Sequence, residues 1–326
     1  MRKWGLPYMG SKSRLAERFI DFFPRRKNFY DLFCGGGAVT HCALESGKFL
    51  SVRANDLDPL CREYFLGAMT GRFDGDDRWI SREDFFRLRD TDPVVRWCWS
   101  FGNDGRSYCY GKNVEPFKRA WHEALYHRGY GEMRREFGID LSETDGIEDI
   151  YGRYIAQKHV IEDARNGGKR MKMQVNTCMT SLERICLENF ERTRKFPSGA
   201  VAESFRYTTG SYDDVRIEPD SLIYCDIPYE GTKKYAVQKE RGFDFGKFCS
   251  WCGEQTEPVA VSSYEMPEGF IPVFEAAHTS SVCADKTLRV TERLFVPVHQ
   301  KRMWDSLTGN GAPPGVQAEL DFGIVC

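Results

Sequence analysis

Apolar residues gather in short runs broken by glycine- and aspartate-bearing turns, and the runs change period along the chain. Residues 28–33 (NFYDLF) read as a short buried strand that runs straight into Cys34-Gly35-Gly36-Gly37. The following AVTHCALESG places Val39, Cys42 and Ala43 at helical spacing and closes on Gly47. Residues 50–55 (LSVRAN) predict a second strand that ends in Asp56 and Asp58, after which Pro59 opens an amphipathic helix carrying Leu60, Tyr64 and Phe65. Strand, glycine turn, helix, strand and acid, in that order, are the opening of a doubly wound, Rossmann-like α/β sheet that is mostly parallel. Residues 72–150 are mixed, rich in aromatics and glycine turns, and residues 151–195 read as largely helical with arginine and lysine dispersed through them. The strand pattern returns from 221 (LIYCD, 222–226), then at 259–264 (VAVSSY), 270–276 (FIPVFEA) and 290–298 (VTERLFVPV). GNGAPPG, from 309, predicts an exposed turn before a last strand. The expected organisation is one discontinuous sheet domain, 1–70 plus 200–326, with a mainly helical inserted domain at 71–199.

Composition narrows this picture. A chain of 326 residues is long for one core and short for three. With 41% hydrophobic residues and 14% aromatics, disorder is excluded as the main state. No apolar run approaches the ~20 residues of a membrane span, so no membrane association is expected. The basic start, MRKWGLPYMGSKSR, has no apolar stretch of the secretory kind, so the expected location is cytoplasmic. Twelve cysteines scattered along such a chain predict reduced thiols. Cys249 and Cys252 form a lone CSWC pair with no second pair at finger-like spacing, and no metal site is expected.

A net charge of −2 argues against coating nucleic acid by charge alone, but the charge is uneven. Residues 1–30 hold eight lysines and arginines against two acids, and 151–195 hold ten against five. Residues 196–326 hold twelve against nineteen. Ordinary solvated surface explains this, and so does a polyanion-facing side built from the N-terminus and the middle of the chain.

Two motifs carry candidate chemistry. Gly35-Gly36-Gly37 lets backbone approach a ligand closely, and Asp56, at the end of the next strand, lies about twenty residues on, where this topology holds a ribose hydroxyl. Dinucleotides and S-adenosylmethionine both fit, as does a purely structural turn. The turn lacks the third glycine of a G-x-G-x-x-G fingerprint, and no GK[ST] follows it. Farther on, IYCDIPYEG delivers Asp226, Ile227, Pro228 and Tyr229 at the carboxyl end of a strand, the ligand-binding edge of an open parallel sheet. An amino group on an aromatic base is a poor nucleophile because its lone pair is delocalised into the ring. The Asp226 carboxylate and the Ile227 carbonyl can accept its two N–H bonds and free that lone pair for in-line attack on a methyl sulfonium. Pro228 stiffens the turn, and Tyr229 offers a ring on which a base can stack. An ordinary strand-ending turn is the plainer alternative.

Taken together and in order, YMGSK (8–12), DLFCGGGAV (31–39), ND (55–56) and DIPY (226–229) resemble the DNA adenine methyltransferases related to Dam. That resemblance implies a Rossmann-like methyltransferase sheet, S-adenosylmethionine as cofactor, double-stranded DNA as partner, and methyl transfer to N6 of a flipped-out adenine. Carried over residue by residue, Tyr8, Gly10 and Lys12 lie beside the methionine part of the cofactor, and Asp31, Phe33, Gly35 and Gly37 form its glycine-rich loop. Asp56 is the ribose acid, Ser211 and Tyr212 flank the cofactor adenine, and Asp226, Ile227, Pro228 and Tyr229 are catalytic. Residues 259–265 and 286–296 match later sheet strands and the loop near the target base, and 71–200 resembles the target-recognition domain. Arg106 and Lys112, in a turn-rich aromatic stretch, are candidate DNA contacts, with plain surface charge as the alternative. A monomer or weak dimer in a bacterial or phage-infected cell is expected, in a restriction-modification, phage or orphan setting.

The chain departs from the family in three places: Ile227 stands where proline is usual, Ser11 where a second glycine is common, and Ser211 where many relatives carry an acid. Ile227 keeps the main-chain carbonyl but not the rigidity, which leaves room for slower turnover. Rival readings are a catalytically weak or inactive DNA-binding relative, an amino-methyltransferase acting on cytosine N4 or on a protein amide, and, against the glycine spacing, a dinucleotide oxidoreductase.

Overall fold

The computed structural model describes residues 4–166, 204–228, 243–283 and 286–309. Tyr229, the stretch from 167 to 203, and the glycine–proline turn with the strand expected after it lie outside the described residues.

Among the described residues, seven strands form one sheet in the order β3-β2-β1-β4-β5-β7-β6. They are β1 (Asn28–Asp31), β2 (Ser51–Asp56), β3 (Phe205–Thr209), β4 (Ser221–Asp226), β5 (Val259–Ser263), β6 (Phe270–Cys283) and β7 (Lys286–Pro297). The first five run parallel, and β7 lies antiparallel between β5 and β6. Burial follows position in the sheet. Every residue of β1 and β5 is buried, as parallel strands covered on both faces require, whereas edge strand β3 alternates. The long β6–β7 pair exceeds the runs predicted at 270–276 and 290–298, because an antiparallel hairpin continues past its apolar residues.

Helices cover the sheet: α1 (Ala16–Phe22), α2 (Ala38–Ser46) and α3 (Pro59–Met69) early in the chain, then α4 (Arg82–Leu88), α5 (Pro93–Cys98), α6 (Glu115–Tyr126), α7 (Gly131–Phe137) and α8 (Ile150–Asn166), and finally α9 (Phe245–Glu254) and α10 (Lys301–Thr308). Their starts are written locally. Asp58 accepts a hydrogen bond from the Leu60 amide with Pro59 at the first helical position, and Asp92 does the same for the Val95 amide ahead of α5. Asp244 caps α9 by accepting from the Lys247 amide at 2.8 Å. The CSWC pair lies on α9, where Cys252 packs into the core, and no cluster of three metal-capable side chains exists among the described residues.

From α4 to α8 the chain makes a long helical excursion. Hydrophobic packing is continuous across position 70: Ile80, Phe85, Val95, Trp97 and Tyr108 share the core that contains Phe29, Val52 and Phe65. A second core forms around Trp121, joining α6 to Met133, Leu141 and Ile161. Buried Gln157 ties it together, accepting from Trp121 Nε1 at 2.9 Å and donating to Thr144 Oγ1 at 3.1 Å. Among the described residues no helix is long and apolar enough to cross a membrane.

The glycine turn is held by its neighbours. Gly37 has φ +70°, and a Cβ placed there would meet the Phe65 ring at 2.3 Å. Phe65 is fully buried and has nowhere to go. Gly47, past the end of α2, has φ +62° and open space around it. Gly37→Ala is therefore expected to cost about 2–4 kcal/mol, combining left-handed strain with overpacking, against about 1 kcal/mol for Gly47→Ala, which carries strain alone. Urea denaturation of both variants checks this; equal losses would remove the role assigned to Phe65.

Candidate active site

Three aspartates stand at the carboxyl ends of neighbouring strands: Asp31 on β1, Asp56 on β2 and Asp226 on β4. The chain goes from β1 to β2 on one side, while β4 pairs with β1 on the other, so the sheet has its topological switch point there. All three aspartates line a cavity of about 260 Å³ at that edge, close to the small-molecule range that begins near ~300 Å³. Tyr8, Gly10, Lys12, Phe33, Gly35, Gly37, Ser211, Tyr212, Ile227 and Pro228 line it too. Every described residue nominated from sequence as catalytic or cofactor-binding thus meets on one cavity. Arg106 and Lys112 do not line it: Arg106 is half-buried and Lys112 exposed on the excursion.

Lys12 reaches the cavity floor from the start of α1. Its carbonyl accepts from the Leu15 and Ala16 amides at 2.8 and 2.9 Å, and α1 is anchored in turn by Phe19 and Ile20 in the core. Its ammonium donates to Asp226 Oδ1 at 2.6 Å and Oδ2 at 2.8 Å, and lies 3.8 Å from Glu292 Oε1. Glu292, on β7, is 1% exposed and accepts a 2.7 Å hydrogen bond from Ser262 Oγ on β5. Burial pushes the Asp226 carboxyl up to about 6; the Lys12 ammonium opposes this and the Glu292 carboxylate adds to it.

Asp31 is 2% exposed and accepts from Thr40 Oγ1 at 2.7 Å through Oδ2, while its Oδ1 is buried with no hydrogen-bond partner. Burial pushes its carboxyl up to about 7, against the Thr40 hydrogen bond. Asp56 accepts from the Gly35 amide at 2.7 Å and the Asp58 amide at 2.9 Å, so it fixes the glycine turn as well as facing the cavity. The turn leans on Tyr8, whose ring would lie 2.9 Å from a Cβ at Gly35.

The far wall is aromatic. Phe33 stacks on Tyr212 with centroids 5.4 Å apart, and Phe243 and Phe248 meet Phe33 edge-on. Beside it, Lys247 Nζ pairs with Asp213 Oδ2 at 2.5 Å, and Asp213 also accepts from Ser211 Oγ. Met9, Leu57, Phe243, Asp244 and Lys247 line the cavity without having been singled out in the sequence, and Glu292 lies behind it. For Glu292 a signal existed. It shares the inward phase of a period-two strand with Leu294 and Val296, both fully buried, and a carboxylate on a core-facing phase needs a partner.

Residues 8–62 match the family model described as D12 class N6 adenine-specific DNA methyltransferase. The matched stretch takes in the Tyr8–Lys12 segment, the glycine turn and Asp56, and it supports an adenine methyltransferase. No curated protein shows significant similarity to the chain. Among solved structures, the chain is similar to that of a "putative RNA methyltransferase" from Pyrococcus horikoshii, at 11% identity and a TM-score of 0.32, over 87% of this chain and 79% of that one.

Asp31 offers a test of these electrostatics. Its carboxyl titrates near 7 in the folded chain and near ~4 when unfolded, so between those values the folded state holds the extra proton. Stability from this group is therefore highest at acid pH and falls as pH rises through the window. Asp31→Asn has no such loss. Its stability relative to wild type should rise between about pH 4.5 and pH 8, by up to ~4 kcal/mol, in paired denaturant titrations. A pH-independent difference would mean that Asp31 is not desolvated.

Proposed function

We propose that the protein is a DNA methyltransferase that transfers a methyl group from S-adenosylmethionine to N6 of a flipped-out adenine in double-stranded DNA. One observation carries the reading: Asp226, Ile227 and Pro228 at the end of β4 face the same cavity as the glycine turn and Asp56. The match over residues 8–62 supports it from the other half of the site.

The residues present fit the cofactor. Asp31 Oδ1, buried and unpartnered, suits an ammonium group. Asp56 spends one acceptor position of each oxygen on backbone amides and keeps others for ribose hydroxyls. The stacked Phe33–Tyr212 wall suits a purine. When bound, the cofactor supplies an electrophilic methyl group, and its sulfur keeps the electron pair of the broken carbon–sulfur bond.

The protein's part is positioning and electrostatics. A base must leave the stack to reach Asp226, at a cost of a few kcal/mol. Asp226 and the main-chain carbonyl of Ile227 then accept the two N–H bonds of its amino group, which localises the nitrogen lone pair for the new nitrogen–carbon bond. The methylated nitrogen sheds one proton, and a carboxylate titrating near 6 is a suitable first acceptor. Tyr229, next in sequence, would supply the stacking ring. Basic residues of the N-terminal segment and of the excursion, Arg106 and Lys112 among them, would hold phosphates and make binding sensitive to salt.

Incubation with tritiated methyl donor and mixed-sequence DNA, followed by nucleoside analysis, tests the proposal. N6-methyladenine is expected from wild type, and Asp226→Ala should lose about a hundredfold or more in kcat. N4-methylcytosine without N6-methyladenine would overturn the adenine assignment, and equal signal from the two proteins would overturn the role of Asp226.

A further inference from the structure

The Lys12 ammonium occupies both oxygens of Asp226, at 2.6 and 2.8 Å. If the protein methylates an amino group as proposed above, that amino group must take one of those oxygens. Each oxygen keeps a second acceptor position, as on Asp56, but an ammonium drawn up on both oxygens weakens them as acceptors for the incoming N–H. Moving it off strengthens them, and a buried ammonium is best received by another anion. Glu292 is that anion. Its Oε1 lies 3.8 Å from Lys12 Nζ, outside hydrogen-bond range but in ion-pair contact, and its side chain is 2% exposed. Ser262 on the adjacent strand fixes the carboxylate by donating to it at 2.7 Å. The Lys12 side chain is 6% exposed, so solvent is a poor alternative destination.

We propose, resting on the function proposed above, that Glu292 is a positioning residue that provides a second seat for the Lys12 ammonium, so that Lys12 shifts from Asp226 toward Glu292 when the target amine binds. In the free protein, Lys12 neutralises Asp226 and keeps its carboxylate aligned. In the working complex, Glu292 takes over the ammonium, and Asp226 is released as an acceptor without leaving a buried cation unpaired. A positively charged methyl donor in the cavity would favour the same shift, since a second cation in the cavity disfavours Lys12 on Asp226.

Other groups around Asp226 are Asp31 on β1, Tyr224 and Cys225 on β4, and Tyr264 after β5. All remain when Glu292 alone is changed, so a difference between wild type and variant reports on Glu292.

Glu292→Gln keeps the shape and the acceptor for Ser262 but removes the charge. Lys12 should then stay on Asp226. The expected result is a kcat about tenfold or more below wild type, with KM for the methyl donor within about threefold. Removing the neighbouring negative charge should also move the acid limb of the kcat–pH profile to lower pH, because Asp226 becomes easier to ionise. A purely structural role would lower activity equally across pH. Glu292→Asp, which restores the charge on a shorter arm, should recover part of kcat. If Glu292→Gln does not fold, Ser262→Ala, which only loosens the carboxylate, should give a smaller loss of kcat. A readout independent of turnover is the crystal structure of wild type with S-adenosylhomocysteine and a duplex carrying the target site. Lys12 Nζ is expected within hydrogen-bond distance of Glu292, with one Asp226 oxygen free of it. Wild-type kcat and pH profile in Glu292→Gln, or Lys12 still on both Asp226 oxygens in that complex, would overturn the inference while leaving the proposed function intact. Absence of any methyl transfer by wild type would instead defeat the function itself.

Discussion

Carboxylates crowded into one largely buried place are mutually repulsive and poorly solvated, and the Lys12 ammonium is what lets Asp226 and Glu292 stay there. Asp31 and Asp226 both have their carboxyls pushed upward by burial, so the compensation is partial. The cavity thereby favours a ligand that brings positive charge. Lys12 must in turn be held firmly, which explains why α1 begins within a turn of it and drives Phe19 and Ile20 into the core.

The sheet supplies the remaining constraint. Parallel strands in register bring Asp31 opposite Tyr224 and Asp226 opposite Ser262, so residues nearly two hundred positions apart in sequence meet at one edge. The antiparallel β7 then brings Glu292 in from the far end of the chain beside Ser262. A sheet that ended with a parallel strand at this place would run that side chain's neighbours the other way. The inserted antiparallel strand is thus part of how Lys12 acquires a second carboxylate, behind the cavity.

Most of this edge was legible in the sequence because its signals are local. A glycine run after an apolar strand, an aspartate at the next strand's end and Asp-Ile-Pro after LIYC each announce themselves within a few residues. The helices of the excursion were less legible. Aromatics between them, Trp79, Trp99 and Tyr110, pack on each other in a cluster that no helical stripe announces. Edge strand β3 was missed as well, since FRYTT buries only Phe205 and Tyr207 and offers little apolar length. Where one hydrophobic core gives way to the next, near α6, depends on which side of each short helix faces the sheet, and composition does not carry that information.

Ile227 bears on how much rigidity the Asp226–Pro228 turn has. A proline there would restrict the preceding residue, Asp226, to extended backbone before any ligand arrived. In this chain that restriction is absent, but other contacts stand in for it. The Asp226 carboxylate is gripped at both oxygens by Lys12, and the Ile227 side chain is 2% exposed in a core with Leu32, Tyr212 and Phe248. The turn is thereby fixed through its side chains where a proline would fix it through its backbone. Side-chain restraint of this kind is conditional: it holds while Lys12 sits on Asp226, and with the shift to Glu292 proposed above it would relax. On that proposal, a turn without proline at 227 has its freedom coupled to the arrival of the amine, whereas a proline would make the turn indifferent to it.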